Sequence, residues 1–430
     1  MSHTHNSTHA SRSPEDLARR RRALRLMIIA LIPIAVWTLG ALIVMWPTNV
    51  QSHLTPGIST YSVPGATVET GKITEIAEIN CEGQTGSAAN APNQVCGKAK
   101  VELTSGPEKG QVIEEVTMKS AEYASGAKVG QSVRLWRIPA EGVPPQYQFN
   151  GFERSVPMLV FTALFALAVI AVARLRGLLA LVGLAFAAFI MVQFMFPALV
   201  SGSNPTLVGL VGGSAIMFVV LYTAHGFSAR TTTALLGTLF GLFASAGLGY
   251  IATKWAHFTG VTSEDDFILQ ASAPDLKLTS VVICGIIIAG LGVLNDVTIT
   301  QASAVWELAE ADPDGTRLFR RAMRIGRDHI ASTVYTIAFA TAGATLGVLV
   351  LLSIFQRPLH EVIQDEQFAQ EIMRTLVGSI GLVLAVPLTT AIGVAVVSAS
   401  KKSRGEISLA TDGPTSGPGD ELIDRDRYSS

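Results

Sequence analysis

Residues 285–307 read GIIIAGLGVLNDVTITQASAVWE, an apolar stretch that contains a carboxylate at Asp296. An ionisable side chain inside an apolar span costs free energy, so its presence favours a functional site. Small and polar residues recur here every three or four positions, which places them on one face of a helix. That face comprises Gly285, Ala289, Gly292, Asp296, Thr300, Ser303 and Glu307.

The next apolar span, residues 330–354, carries a matching stripe of small residues. It comprises Ser332, Thr336, Ala340, Gly343 and Gly347. Small stripes let membrane helices approach closely, and hydroxyl groups can then bond across the gap. We therefore predict that the two helices pack together through these stripes and form the functional centre.

Asp296 admits two interpretations. In the first, it binds and releases protons as two helix arrangements alternate. In the second, it is a structural carboxylate that is capped by hydroxyl groups or solvated near the interface. Lys277 marks the outer end of the span and Trp306 the inner end, so Asp296 lies in the inner half. The hydroxyl residues that could take part in either role are Thr300, Ser303, Ser332 and Thr336.

Past the inner end of this span the sequence becomes strongly charged. We expect Glu307, Arg327 and Asp328 to form salt bridges in the cytoplasm. Residues 317–327 interleave arginines with apolar residues. This pattern predicts either an amphipathic helix along the inner leaflet or a solvated connector.

The composition indicates a multi-pass α-helical membrane protein. Of 430 residues, 49% are hydrophobic and 15% charged, and several apolar runs approach the length that crosses a bilayer. We predict about eight spans, with an anchor at residues 24–46 and a membrane domain over residues 156–400. The spans after the anchor are predicted at residues 156–173, 178–199, 206–222, 231–253, 278–300, 330–354 and 376–399.

Lysine and arginine gather on one side at every predicted crossing, which places both termini in the cytoplasm. Residues 24–46 are too long for a typical signal peptide and lack a small-x-small cleavage site, so we interpret them as an uncleaved anchor. The polar tails, residues 1–23 and 401–430, are predicted to be disordered. The basic positions are Arg174, Arg176, Arg230, the arginines of residues 317–327, Lys401, Lys402 and Arg404.

Residues 50–154 form the long polar stretch of the chain. Short alternating runs separated by glycine and proline predict a small all-β domain, a barrel of the OB kind. The anchor places this domain outside the cytoplasm, where disulfides persist. A Cys81–Cys96 bridge would close a loop of about 15 residues and contribute about 3 kcal/mol; two free buried thiols are the alternative. The barrel either binds a ligand or serves as a spacer.

Other spans carry small residues that we interpret as helix-packing positions. Pro387 lies inside a predicted helix, where neighbouring helices can satisfy the freed carbonyl. The packing positions are Gly209 with Gly213, Gly237 with Gly241 and Ser245, and Gly378 with Ala385.

Several classes of function are disfavoured by the sequence. Ser214 is followed by Ala215 and not by the glycine of a rhomboid-like protease, and Asp296 has no second aspartate within a span, as an intramembrane aspartyl protease requires. No phosphate-binding loop or Cys/His cluster with metal spacing occurs, and no basic surface with interleaved aromatics suggests nucleic acid. We therefore predict that the chain is not an enzyme and holds no cofactor or metal.

Three segments of the sequence carry a family resemblance. The first, GVLNDVTI, spans residues 292–299 and is followed by Trp306-Glu307-Leu308. The second is Ile325-Gly326-Arg327-Asp328 with Ser332-Thr333, and the third, RTLVGSIGLVLAVP, spans residues 374–387. Together they resemble the YibE/F family of bacterial membrane proteins. The resemblance covers most of residues 156–399 and implies a multi-pass protein of the bacterial plasma membrane without an assigned activity.

The segment from Gly292 to Glu307, followed by residues 321–333, is also similar to a helix pair of the SecD/SecF and RND permeases. This weaker resemblance implies proton-coupled work at Asp296, although the chain has more predicted spans than a SecD-type half and a smaller external domain. Half-size relatives of this kind often pair, so the resemblance leaves open whether the chain forms homo- or hetero-oligomers.

Our leading hypothesis is a permease-like transporter of a small or lipid-like solute. The alternative is a non-transporting membrane protein whose β domain binds a partner or envelope component.

Overall fold

A computed structural model of the protein describes residues 14–55, 65–81, 95–140, 142–311, 317–356 and 358–411. The predictions made for residues 1–13 and 412–430 lie outside these ranges. The helices are α1 (Pro14–Val44), α2 (Ser120–Ala124), α3 (Ser155–Ile190), α4 (Phe196–Val200), α5 (Pro205–His225), α6 (Ala229–Trp255), α7 (Glu264–Ser272), α8 (Leu278–Ala311), α9 (Leu318–Ala344), α10 (Leu346–Phe355), α11 (Leu359–Val362) and α12 (Glu366–Thr411). The strands are β1 (Thr67–Asn80), β2 (Val95–Leu103), β3 (Val112–Met118), β4 (Ser132–Ala140) and β5 (Val143–Phe152).

The first and last helices extend into the tails that the sequence predicted to be disordered. α1 begins at Pro14, and α12 continues to Thr411. Extending an existing helix needs no new nucleation, so good helix formers beside an apolar span readily continue it. The polarity of these segments therefore marked the end of the apolar span and not the end of the helix.

The chain separates into two compact units. The β-containing unit comprises residues 49–181 and 268–275, and the helical unit comprises the remainder. The strands of the first unit form an antiparallel sheet in the order β3-β2-β1-β4-β5, and β3 also contacts β5, so the sheet curls round its core. The core side chains are Ile73, Ala99, Val101, Leu103, Val116, Met118, Val133 and Leu135.

The fifth strand was not predicted from the sequence. β5 begins Val143-Pro144-Pro145, and proline cannot donate to a sheet ladder, so prolines argue against a central strand. In the structure β5 lies at the end of the sheet order, beside β4 alone in the ladder. A position at the sheet edge is where proline is tolerated.

Two covalent or ionic links hold the β-containing unit together. Cys81 and Cys96 are joined by a disulfide, with their Cα atoms 5.2 Å apart. The guanidinium of Arg137 donates to both carboxylate oxygens of Glu108, at 2.8 and 2.6 Å, and Tyr147 donates its hydroxyl to the same carboxylate at 3.0 Å. These bonds, chiefly that from Arg137, lower the pKa of Glu108 to about 2. The loop between β2 and β3 is thereby fixed to β4 and β5.

In the described part of the chain, six helical segments are long and apolar enough to cross a bilayer. They are Met27–Val44, Ser155–Val200, Pro205–His225, Ala229–Trp255, Leu278–Ala311 and Glu366–Ser398. A seventh is added if α9 and α10, which are bent by 68° at their junction, count as one span. The predicted number was eight.

The difference in number arises at Ser155–Val200, which is one segment of 46 residues. Arg174 interrupts it with φ 53° and ψ −132°, which are not helical values. A Cβ added to Gly177 would overlap the carbonyl oxygen of Val169, whereas residues eight positions apart in a straight helix are separated by about 12 Å. The chain therefore turns back at Arg174, between two of the predicted spans.

Close packing in the helical unit is concentrated where α6, α8 and α12 meet. A Cβ added to Gly237 would overlap Thr389 of α12, and one added to Gly381 would overlap Ser245 of α6. Gly241 lies against Leu294 of α8 and Ala385 of α12. Glycine thus allows three helix backbones to approach here.

Candidate functional site

The stripe around Asp296 lies on the face of α8 opposite its buried face. Leu294, Thr298 and Gln301 are buried, whereas Gly292 and Asp296 are exposed. The predicted close packing through this stripe is wrong, because a Cβ on Gly292 would meet nothing within 4 Å. The large aliphatic residues of α8 fill the bundle core, which leaves the small face outside.

The small stripe of α9 is also open. Ser332, Thr336 and Gly343 are exposed, and a Cβ on Gly343 or Gly347 would meet nothing within 4 Å. Gly378 of α12 is buried, yet a Cβ there would also meet open space. These glycines were predicted to bring helices together, but in the structure they border space.

The contacts of α8 and α9 differ between their two ends. At the inner end, near Trp306, the two helices touch: Gln301 donates through Nε2 to the carbonyl oxygen of Ala322 at 3.0 Å. At the outer end α12 lies between them. There Arg374 of α12 approaches Gly285 of α8, with Nη2 3.6 Å from the position of an added Cβ.

Thr375, which follows Arg374 in α12, contacts α9. The hydroxyl oxygens of Thr341 and Thr375 are 3.3 Å apart. Counting in steps of three and four along α9 from Ala322, which touches α8, leads to Ser332 and Thr336 on the same face. We refer to the exposed stripe of α8, the exposed stripe of α9 and the outer half of α12 together as the wedge.

The predicted hydroxyl partners of Asp296 do not contact its carboxylate. Thr300 donates to the backbone carbonyl of Asp296 at 2.7 Å, and Ser303 donates to the carbonyl of Ile299 at 2.8 Å. Thr336 donates to the carbonyl of Ser332 at 3.1 Å. Each hydroxyl is thus satisfied within its own helix, as serine and threonine commonly are in helix interiors. The interpretation of Asp296 as a carboxylate capped by these hydroxyl groups is not supported.

The predicted cytoplasmic salt bridges are also not formed. Glu307, Arg327 and Asp328 are all exposed, and none has an ion-pair partner among the residues that the structure describes. Exposed ion pairs contribute little free energy and cost side-chain entropy, so proximity in the sequence was a weak basis for this prediction. The remaining predicted packing residue, Pro387, lies inside α12 and is partly covered.

Sequence reasoning missed three polar residues in the apolar helices. Gln301 is fully buried and donates to Thr390 at 2.7 Å as well as to Ala322, but its Oε1 accepts no hydrogen bond from the described residues. Asn295 has a buried Oδ1, and Arg374 a buried Nε, without a partner among those residues. The rule that polar groups inside apolar spans are functional candidates would have selected all three.

Arg374 lies at the outer end of the wedge, against Gly285. Its Nη1 donates to Glu371 Oε1 at 2.6 Å, and both side chains are about one-third exposed, at 33% and 27%. Gly285 and Asp296 are eleven positions apart on one face of α8, which corresponds to about 16 Å. The wedge therefore has an arginine at its outer end and a carboxylate towards its inner end.

A model of the YibE/F-like protein family matches residues 161–399, which is more than half of the chain. The chain belongs to the YibE/F family. The match begins within α3 and ends within α12, so it contains every residue of the wedge and none of the strands. No curated protein and no solved structure matches the chain. The similarity to the SecD/SecF and RND permeases therefore stays a prediction.

Proposed function

We propose that this YibE/F protein is a bacterial plasma-membrane protein that couples proton movement at Asp296 to transport of a small or lipid-like solute. Eight spans result if the two parts of Ser155–Val200 are counted separately and α9 with α10 as one. The basic segments then lie on one side, and both termini are cytoplasmic. The strands β1 to β5 lie outside, where a disulfide such as Cys81–Cys96 persists.

The observation that supports proton coupling is the exposure of Asp296 on a membrane-spanning helix, beside the wedge. The free-energy cost of a charged carboxylate depends strongly on whether water or hydrocarbon faces it. Whatever fills or leaves the wedge would therefore change the tendency of Asp296 to bind a proton. This dependence is the physical requirement for coupling solute movement to protonation.

The form of the wedge supports a small or lipid-like solute. Glycine, alanine and hydroxyl residues line it, so its walls present little side-chain bulk. It lies on the surface of the helical bundle, where a solute could enter from the bilayer. Arg374 supplies hydrogen-bond donors at its outer end, of which one is used by Glu371.

Proton uptake by membrane vesicles from expressing cells tests this proposal. We expect an imposed pH gradient to dissipate faster with the wild-type protein than with empty membranes, and Asp296→Asn to abolish the difference. Glu307→Gln is the matched control, because Glu307 is also exposed on the same face of α8 but lies past the inner end. Asp296→Glu should restore part of the flux.

An unchanged flux in Asp296→Asn would remove this carboxylate from the mechanism. A wild-type flux equal to that of empty membranes would contradict transport itself and favour the second candidate, a partner-binding role for the β-containing unit. That unit has its own core and the five antiparallel strands of a curled sheet. Barrels of the OB kind often bind ligands on such a sheet.

A further inference from the structure

The first part of α9 has a strongly basic surface. Between residues 317 and 328 the sequence contains five arginines and one carboxylate, Asp328. All of these side chains are exposed. The proposed function does not use them.

This segment is held firmly against the helical bundle through its opposite face. Leu318 and Ala322 are buried in a cluster with Val305 and Ala309 of α8. A Cβ added to Gly326 would overlap Val386 of α12 and approach Gln301 to within 2.9 Å. The segment therefore has no room to roll on its axis, and its arginines are presented in a fixed direction.

The arginines share one face that continues into an apolar surface. Arg317, Arg320, Arg324 and Arg327 follow at steps of three and four. The same steps lead on to Ala331, Tyr335 and Ala338, which are all exposed, Tyr335 to 64%. Along this face α9 thus changes from cationic to apolar within one turn.

This order matches the inner leaflet of a bilayer, where phosphate groups precede hydrocarbon. Arg320, Arg324 and Arg327 have no ion-pair partner among the residues that the structure describes. Guanidinium groups present several donors in a planar fork that fits phosphate oxygens. Basic clusters directly beside a membrane span attract anionic lipids. Asp328 offsets one of the charges and leaves a clear excess of arginine.

We propose that Arg317, Arg320, Arg324 and Arg327 form a binding site for the phosphate headgroups of anionic phospholipids in the inner leaflet. The occupant is a lipid and not a soluble anion, because the exposed apolar residues continue the arginine face in the direction of an acyl chain. This site rests on the membrane placement proposed above but not on proton coupling at Asp296.

The test uses the full chain in nanodiscs of phosphatidylcholine with a minority of phosphatidylglycerol. Spin-labelled analogues of the two lipids report their relative association with the protein. We expect the wild type to prefer phosphatidylglycerol, and the variant R320Q/R324Q/R327Q to lose that preference by at least about fivefold, which corresponds to about 1 kcal/mol. The control R174Q/R176Q/R230Q removes three arginines from the same predicted side, and we expect its preference to stay within about twofold of the wild type.

Three results would overturn the lipid site. They are an unchanged preference in the α9 variant, an equal loss in the control, and equal association of the two lipids with the wild type. Unchanged elution volume and thermal unfolding of the variant show that it is folded, so a lost preference reports binding. Failure of the wild type to enter nanodiscs would contradict the membrane placement, whereas each of the three results leaves that placement intact.

Discussion

The contact between α6 and α12 and the wedge between α8 and α9 are built from the same kind of sequence, but one is closed and the other open. Both have glycine, alanine and hydroxyl residues at helical spacing. In the closed contact, Gly237 and Gly241 of α6 face Thr389 and Ala385 of α12. In the wedge, Gly292 faces open space.

The closed contact and the wedge differ because the helices direct different residues into the core of the bundle. α6 and α12 present small residues to each other, so Gly237 and Gly381 each receive a side chain from the partner helix. α8 instead directs its large aliphatic residues, such as Ile286, Ile287 and Leu294, into the core, where burial contributes most. Its small face is left outside together with Asp296. A small stripe with a carboxylate is thus better interpreted as a lining than as a packing surface.

The largest expected loss of unfolding free energy comes from adding a side chain to the closed contact between α6 and α12. Gly381→Leu places a side chain where Ser245 already lies, and overpacking at a helix crossing cannot be relieved by a flexible neighbour. We expect the free energy of unfolding to fall by roughly 3 kcal/mol. Reversible unfolding in mixed micelles with increasing dodecyl sulfate measures the change.

Gly343→Leu is the matched control for that substitution, because the same side chain enters open space. We expect its unfolding free energy to stay within about 0.5 kcal/mol of the wild type. If both variants lost the same stability, the wedge would be closed in the folded protein, and the contrast between the two helix pairs would be wrong.

A smaller loss of unfolding free energy is expected when the contact between α8 and α9 near Trp306 is weakened. Gln301→Ala removes the two hydrogen bonds by which the side chain joins Ala322 of α9 and Thr390 of α12. We expect a loss of about 1–2 kcal/mol in the same unfolding assay, since hydrogen bonds between membrane helices are individually modest.

Asn295→Ala is the control for the loss of an amide in α8. The Oδ1 of Asn295 is buried without a partner among the described residues, so its removal should cost less than the removal of Gln301. Equal losses would show that the amide of Gln301 does not join α8 to α9, and the inner end of the wedge would need another explanation.

The sequence predicted the apolar spans, the polar β domain and the family, because each depends on local pattern. It did not predict which small stripe would be covered, since periodicity defines a face but not the neighbour of that face. Gly237 and Gly292 illustrate this: both follow the same spacing, yet one meets Thr389 and the other meets nothing.

Two further points depend on detail that periodicity does not give. The spans predicted at residues 156–173 and 178–199 lie within one helical segment, and they are separated by a turn at Arg174, whose positive φ is unusual for a residue with a side chain. Arg374 begins the third family-like segment, but the sequence does not predict it as a functional residue, because its position against Gly285 depends on the packing of two helices that are distant in sequence.

The smallest expected effect is a coupling free energy between two threonine hydroxyl groups on neighbouring helices. The hydroxyl oxygens of Thr238 in α6 and Thr298 in α8 are 2.6 Å apart and fully buried, so this bond crosses between helices. Thr336 bonds only within α9 among the described residues. A double-mutant cycle with Thr238→Val and Thr298→Val should give a coupling of about 0.6 kcal/mol. Thr336→Val paired with Thr300→Val should give a coupling near zero, because each of these hydroxyl groups bonds to a carbonyl of its own helix and not to the other hydroxyl. A measurable coupling across the wedge would mean that its walls approach each other in the folded protein, and Asp296 would then lie in a closed site.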